Sequence, residues 1–311
     1  MTAVMAAPVL VSVVLGLSAR RLGRWLPPAT AVRVLSLSSL VTALSTGFVL
    51  SVAAFLAVAQ LSPVASVGRW SASALRAAEP VPLLLGALSG AAAALLIGAA
   101  VRRAALAARD LFTAAATCRR LGAGSGGLVV VEDDLPEAYA LPGLGGRVVV
   151  STAMLRALTG PERRAMLAHE AAHLRHHHHL FVQATALAAA ADPLLRPCAD
   201  VVRAGVERWA DEEAARVTGD RFLAARAVAR ASLAQHQARA RMPAPRAALG
   251  MADSVAVARA RALLGPAPPP RRALAASVAS LMLVGAAAAV TTAHDTEQLF
   301  ERAHSAFTAT G

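Results

Sequence analysis

The sequence predicts a mainly α-helical, multi-pass membrane protein with about four transmembrane helices and one helical domain that carries a small β-sheet. Three observations lead to this fold class. Of the 311 residues, 56% are hydrophobic and only 16% are charged, and the mean hydropathy of +0.53 is too high for an ordinary soluble domain of this length. Long runs of the chain carry no charge. One stretch, residues 102–272, has enough mixed polarity for a globular domain.

Four charge-free runs are each long enough to cross a bilayer core as a helix, which takes at least about 18 apolar residues. We predict transmembrane helices at about residues 2–19, 34–61, 80–101 and 273–293. The first run lacks a basic residue ahead of its apolar stretch and has no clear cleavage site, so we interpret it as a retained helix. Residues 294–311 then form a short extracytoplasmic tail.

Arginines flank these runs unevenly and predict the orientation of the chain. They are concentrated between the first two runs, after the third and before the fourth, whereas the loop after the second run holds only Arg69 and Arg76, opposed by Glu79. By the positive-inside rule, both chain ends face outward and residues 102–272 face the cytoplasm from the cell membrane. The net charge of +12 is explained by this topology, because the arginines form no aromatic-interleaved patch. No direct nucleic-acid binding is therefore expected.

The domain begins with a helix that leaves the membrane, in which alanine and leucine are spaced among arginines as VRRAALAARDLFTAAATCRRLG. Two β-branched runs follow, LVVVEDD and GRVVVST, each bounded by glycine, proline or aspartate. We predict two strands here, joined by LPEAYALPGLG. From Leu155 onward the domain is predicted to be helical until the stiff linker GPAPPPRR at residues 265–272.

The helix that contains AHEAAHLRHHHHL has a clear start. Thr159 or Gly160 can cap it, Pro161 suits its first position, and Glu162 complements the helix dipole. The charge-free segment that follows, residues 180–191, is too short to span a bilayer, so we predict that it lies in a core or dips into the membrane face. The next helical stretch is predicted to divide into two helices at its glycine.

The segment from His169 to His173 has the pattern H-E-x-x-H. On a helix, two histidines four residues apart project from one face and can ligate a single Zn²⁺, whereas Glu170 lies about 100° around the helix and reaches water instead. Because zinc lowers the pKa of water towards about 7, Glu170 can take a proton as the water attacks a carbonyl group. The pattern predicts zinc-dependent hydrolysis with Glu170 as general base.

A catalytic zinc site needs a third protein ligand. The segment VERWADEEAA supplies Glu207 and Asp211, which share one helical face. We predict that Glu207 is the third ligand and that Asp211 accepts the outward ring N–H of a ligating histidine, with His169 preferred. The alternative is that the carboxylates from Glu207 to Glu213 form an acidic helix surface that faces arginines.

Four consecutive histidines, His176 to His179, end the same segment. Consecutive residues spread around a helix, so these side chains cannot all face one metal ion. We predict solvated or interfacial imidazoles at the carboxyl end of the helix, where protonated histidines are favourable to the helix dipole. We also expect this run to bind additional metal adventitiously.

The segments YALPGLGGRVVVSTAMLRALTGPERRAMLAHEAAHLRHHHHL and ERWAD resemble the BlaR/MecR-type integral-membrane zinc metallopeptidases. They resemble less closely the HtpX and CAAX-prenyl-protease group, which shares the gluzincin core. The resemblance covers about residues 130–265 and implies one catalytic zinc ion held by His169, His173 and Glu207, with Glu170 catalytic. It also implies a substrate-binding edge strand, to which an extended peptide adds, formed by Arg147, Val148, Val149 and Val150.

The resemblance implies a membrane-anchored zinc endopeptidase that hydrolyses peptide bonds of a protein substrate. That substrate would be a winged-helix transcriptional repressor, which would make the protein a signal transducer. The alternatives are a quality-control protease for membrane proteins and a non-catalytic membrane scaffold or regulator that retains the fold. The chain contains no lysine and hence no S-x-x-K motif, so direct acylation by β-lactams is not expected. Tyr139 and His236 are candidates, by residue type alone, for stabilising an oxyanion.

Overall fold

A computed structural model describes residues 2–121, 125–143, 145–240, 247–267 and 269–309. The predicted fold class is confirmed, because the described chain is mainly helical, with four long apolar helices and a three-stranded sheet. The helices are α1 (Thr2–Trp25), α2 (Pro28–Ala59), α3 (Ser62–Gly68), α4 (Ala72–Ala78), α5 (Leu83–Arg120), α6 (Thr152–Ala157), α7 (Gly160–Arg175), α8 (His178–Ala191), α9 (Arg196–Thr218), α10 (Arg221–Ala240), α11 (Ala247–Leu264) and α12 (Arg272–Thr308). The strands are β1 (Leu128–Val131), β2 (Ala138–Leu141) and β3 (Arg147–Ser151).

The helices α1, α2, α5 and α12 are each long and apolar enough to cross a membrane. Helices α1 and α12 contain the predicted spans 2–19 and 273–293. Helix α2 ends two residues before the end of the predicted span 34–61, and α5 begins three residues after the start of the predicted span 80–101. All four helices are longer than the predicted spans. Helix α12 has 37 residues and measures about 55 Å at 1.5 Å per residue, so it exceeds a hydrocarbon core of about 30 Å. Its last turns, in the predicted tail, pack Leu299 and Phe300 against Trp70 and Leu75 of the α3–α4 region. Residues 268, 310 and 311 of the predicted linker and tail lie outside the described residues.

Helices α8 and α9 pack directly against the apolar helices. The Ser12 hydroxyl of α1 donates to Asp192 Oδ2 over 2.7 Å at the turn between α8 and α9, and both side chains are buried. A Cβ atom on Gly16 would lie 2.3 Å from the Leu194 carbonyl oxygen, so only glycine permits this approach. The segment 180–191 therefore lies in a core, which is one of its two predicted placements. That core contains residues of α1, α2, α8, α9 and α12.

The sheet contains one strand more than the sequence predicts, in the order β1-β3-β2. Strand β2 lies within the predicted connection between the other two strands. Strand β3 pairs with β1 in parallel and with β2 in antiparallel orientation, so its backbone is bonded on both sides. The prediction that Arg147, Val148, Val149 and Val150 form a substrate-binding edge is therefore corrected: they form the central strand, and β2 is an edge of the sheet.

The start of α7 is fixed by Glu162, which is completely buried. Its Oε2 accepts hydrogen bonds from the Thr159 amide at 2.9 Å and the Thr159 hydroxyl at 2.7 Å. Arg226 Nε at 2.8 Å and Arg230 Nη1 at 3.0 Å join the same carboxylate from α10. Burial by itself would raise the pKa of Glu162, but these hydrogen bonds and positive charges hold it below its usual value. One carboxylate thus caps α7 and attaches α10 to it.

We expect Glu162→Ala to destabilise the protein by roughly 2 kcal/mol, because it removes a helix cap and leaves two half-exposed arginines without their common partner. Thermal unfolding of the full chain in detergent measures this as a fall in Tm of several degrees. Arg164→Ala is the matched control, since Arg164 is exposed on the same helix. Equal Tm values for the two variants would contradict the proposed role of Glu162 in capping α7 and attaching α10 to it.

Candidate metal centre

Two helices bring together the three predicted metal ligands. His169 and His173 lie one turn apart on α7, and Glu207 faces them from α9. One ligand atom of each residue lies within 4.8 Å of the other two. The two Nε2 atoms are 3.2 Å apart, and they lie 3.5 Å and 3.6 Å from the Glu207 carboxylate oxygens. Two imidazole nitrogens and one carboxylate oxygen at this spacing fit a zinc ion, which prefers such ligands in catalytic sites.

Asp211 lies one turn beyond Glu207 and meets the other side of His169. Its Oδ1 is 3.0 Å from His169 Nδ1, and the carboxylate is buried. Burial would raise the pKa of Asp211, but hydrogen bonds from Arg259 and His169 lower it to about 2. Burial would likewise lower the pKa of His169, but its bonds to Asp211 and Glu207 raise it to about 9. Asp211 therefore stays ionised and fixes the ring orientation, leaving Nε2 of His169 directed into the site.

Glu170 is partly buried beside the ligands and faces the sheet. The backbone of Ala140 in β2 lies close enough to its carboxylate to lower its pKa. Burial raises the pKa of Glu170, and the charge of Glu207 adds to this effect, while the charges of His169 and Arg259 oppose it. Glu170 is thus the carboxylate of this site that is most easily protonated.

Arg259 of α11 is a residue of the site that the sequence analysis missed. Its Nε and Nη2 atoms bind Asp211 over 2.9 Å and 2.7 Å, and its Nη1 lies 3.1 Å from Glu207 Oε2. No local pattern marks this residue, because its contacts join helices far apart in the sequence. The one usable signal is electrostatic: three carboxylates in one site require a nearby positive charge.

The histidine run divides in a way that the sequence analysis does not predict. Helix α7 ends at Arg175, and His177 adopts a left-handed conformation with φ 51°, so α8 starts in a new direction at His178. His178 is 1% exposed, and its Nδ1 lies 3.1 Å from His173 Nδ1. Burial lowers the pKa of His178 to about 3, and the neighbouring His173 and His176 add to this effect. The prediction of solvated imidazoles is therefore wrong for His178, whereas His177 is exposed.

A cavity of about 520 Å³ opens beside these residues. Strand β2 and helices α7, α8, α9, α10 and α11 line it. The lining residues include Tyr139 of β2, Glu170 of α7 and Arg259 of α11, but not His236. The Ser151 amide donates to the Glu137 carbonyl, so residue 137 turns its backbone groups towards β3. Because this direction alternates along an antiparallel strand, Ala138 and Ala140 turn their backbone groups away from β3. The cavity thus has an edge strand as one wall.

Residues 108–272 match the model of peptidase family M48. The matched segment covers more than half of the chain and includes all the site residues described above. No curated protein and no solved structure matches the chain.

We expect Glu207→Ala to weaken zinc binding by more than about 100-fold, since loss of an orienting partner alone costs about 10- to 100-fold. Competition with a chelator of known zinc affinity measures the dissociation constant of the full chain in detergent. Asp200→Ala is the control, because Asp200 is an exposed carboxylate on the same helix. This comparison also separates the site from weak binding by the exposed histidines. Wild-type affinity in Glu207→Ala would refute the ligand assignment.

Proposed function

The chain belongs to peptidase family M48, and from this premise we propose that it is a membrane-anchored, zinc-dependent endopeptidase that hydrolyses peptide bonds of a protein substrate. Family membership makes it a metallopeptidase. The observation that carries the proposal is that His169, His173 and Glu207 converge within 4.8 Å in a cavity that Glu170 also lines. A scaffold that had lost catalysis would have no need to keep all four groups.

In this proposal His169, His173 and Glu207 hold one zinc ion. When bound, the ion supplies a Lewis acid that polarises a carbonyl group and lowers the pKa of water. Helix α7 holds His169 and His173, helix α9 holds Glu207, and Asp211 fixes the ring of His169. The protein therefore provides a rigid donor set before the ion arrives, as a catalytic site requires.

Glu170 is the proposed general base. Its carboxylate accepts a proton from the attacking water and then delivers a proton to the nitrogen of the departing amine. A base of this kind works best when its pKa lies close to the operating pH, and burial moves the pKa of Glu170 in that direction. The backbone of Ala140 favours the ionised form of the carboxylate, which can then accept the proton.

Arg259 is the proposed source of positive charge for the substrate oxygen that becomes negative during the reaction. Its guanidinium lies in the cavity and is held by two hydrogen bonds to Asp211. A charge that is already oriented costs no reorganisation when the reaction occurs, so it stabilises the developing negative charge efficiently. Tyr139 also lines the cavity but carries no positive charge.

The outer edge of β2 is the proposed site for the substrate backbone. The amide and carbonyl groups of Ala138 point away from β3 and can pair with an extended polypeptide. Ala140 lies next in the same orientation and already contacts Glu170. A peptide that pairs here would bring one of its carbonyl groups to the general base.

The cavity lies close to the apolar helices, which bears on the class of substrate. Val182 of α8 and Val206 of α9 line the cavity. Val206 belongs to the core shared with α1 and α2, and Val182 packs against that core. If these helices span the cell membrane as proposed, the scissile bond is cut near the membrane surface. This position supports a membrane-protein substrate, as in quality control. A winged-helix repressor as substrate rests on the family resemblance alone.

We expect Glu170→Gln to abolish at least 99% of proteolysis while zinc binding is retained, because the variant removes the base but no ligand. The full chain in detergent is assayed with fluorescent casein, with an unfolded membrane protein and with a candidate repressor. Glu213→Gln is the matched control, since Glu213 lies on α9 and pairs with Arg175 and Arg216. Unchanged proteolysis in zinc-loaded Glu170→Gln would refute the enzymatic proposal.

We propose four membrane crossings with the catalytic domain in the cytoplasm, and single cysteines can test this topology. Both native cysteines are free and buried, so Cys118→Ala and Cys198→Ala give a cysteine-free background. We expect a membrane-impermeant thiol reagent to label Ser66→Cys on intact cells and Asp134→Cys only after permeabilisation, since both positions are exposed. The reverse labelling pattern would contradict the positive-inside assignment.

A further inference from the structure

We propose that His178 is a positioning residue that holds the metal ligand His173 by accepting a hydrogen bond from its Nδ1–H group. The inference rests on the proposed function, since it takes His173 to be a ligand. It goes further because His178 lies outside the H-E-x-x-H and glutamate ligand set and, at the sequence level, belongs to the histidine run that ends the motif helix.

The direction of this hydrogen bond follows from the ligand atom of His173. The Nε2 atom of His173 faces the site, 3.6 Å from Glu207 Oε1 and 3.2 Å from His169 Nε2. A neutral imidazole that gives its Nε2 lone pair to a metal carries its hydrogen on Nδ1. The nearest acceptor is His178 Nδ1, at 3.1 Å. His173 therefore donates, and His178 must be a neutral imidazole whose own hydrogen lies on Nε2.

The surroundings of His178 fix its ring. The ring centroid lies 4.7 Å from that of Trp209 and 4.8 Å from that of His173, which it meets edge-on at 89°. Arg33 of α2 lies 4.5 Å from the centroid of the same Trp209 ring. The left-handed residue His177 directs α8 so that its first side chain enters this space. The buried ring of His178 is thus in contact with both Trp209 and His173.

The unused ring nitrogen supports a dedicated role for Nδ1. His178 Nε2 is buried, and no hydrogen-bond partner for it is found among the described residues. Burying an unpaired polar group costs about 1–3 kcal/mol, a cost that a phenylalanine at this position would avoid. Packing against Trp209 would therefore favour phenylalanine. The hydrogen bond to His173 is the interaction that only a nitrogen acceptor can provide here.

A neutral acceptor also suits the charge of the site. The carboxylate Asp211 already orients His169, and Glu170 and Glu207 add two more acidic groups, with Arg259 as their positive partner. A further carboxylate beside His173 would add negative charge to a buried site. Imidazole orients the ligand without adding charge, so the two ligating histidines have partners of different basicity.

The decisive comparison is between His178→Phe and His178→Asn in the full chain in detergent. Phenylalanine keeps the ring against Trp209 but removes the acceptor, whereas asparagine restores an acceptor close to the position of Nδ1. We expect His178→Phe to weaken zinc binding by about 10- to 100-fold and to shift the visible absorption of the Co²⁺-substituted protein. We expect His178→Asn to recover most of the affinity. His177→Asn, at an exposed left-handed position that asparagine tolerates, should match wild type.

Three outcomes would overturn the inference. The first is wild-type zinc affinity and an unchanged Co²⁺ spectrum in His178→Phe. The second is a lower Tm of the metal-free protein in His178→Phe together with no recovery in His178→Asn, because a purely structural role predicts that pattern. The third is normal zinc binding in Glu207→Ala, which refutes the ligand set and this inference together. If Glu207→Ala loses zinc while His178→Phe binds it normally, the result supports the proposed function and refutes the role of His178.

Discussion

Helix α9 packs against apolar helices on one side and against α7 on the other, and the metal centre depends on this shared position. Cys198, Val202 and Val206 belong to the core formed with α1 and α2. Glu207 directly follows Val206 in the sequence, and Glu207 and Asp211 face His169 and His173. Neighbouring residues of a helix point to different faces, so α9 can pack against the apolar helices with one face and present ligands to α7 with another. Because both contacts are made by one helix, a displacement of α9 from its position against α1 would also displace Glu207 from the metal centre.

Three carboxylates share the site, and their surroundings lower the pKa of two of them and raise the pKa of the third. Glu207 and Asp211 are held ionised because His169 and Arg259 surround them, and their pKa values fall to about 2 although burial would raise them. Glu170 is affected mainly by burial, so its pKa rises. Ionised carboxylates suit the binding of a metal cation by Glu207 and the orientation of His169 by Asp211. A carboxylate of raised pKa, such as Glu170, suits proton transfer. The same residue type therefore supplies both kinds of chemistry within one cavity.

Local patterns predicted what depends on helix periodicity, and tertiary contacts decided the rest. The pairing of His169 with His173, and of Glu207 with Asp211, follows from spacing on a helix. Strand β2 was missed because its four residues lie between prolines, and the central position of β3 depends on pairing with both neighbours. The break that buries His178 occurs within a run of identical residues without glycine or proline, so no sequence signal marks it.

The site is assembled by helices that contact, or lead directly into, the first and the last helices of the apolar bundle. Helix α9 contacts α1 and α2 through their shared core, to which α12 contributes Val278. Helix α11 carries Arg259 and is followed, after a proline-rich linker, by α12 itself. The carboxylates of α9 and their positive partner on α11 thus reach the site from elements anchored to the same bundle. An independent domain has its own core, whereas the largest core among the described residues belongs to the bundle and to the catalytic helices together. The bundle is therefore part of the scaffold that determines the geometry of the metal centre, in addition to being the proposed membrane anchor.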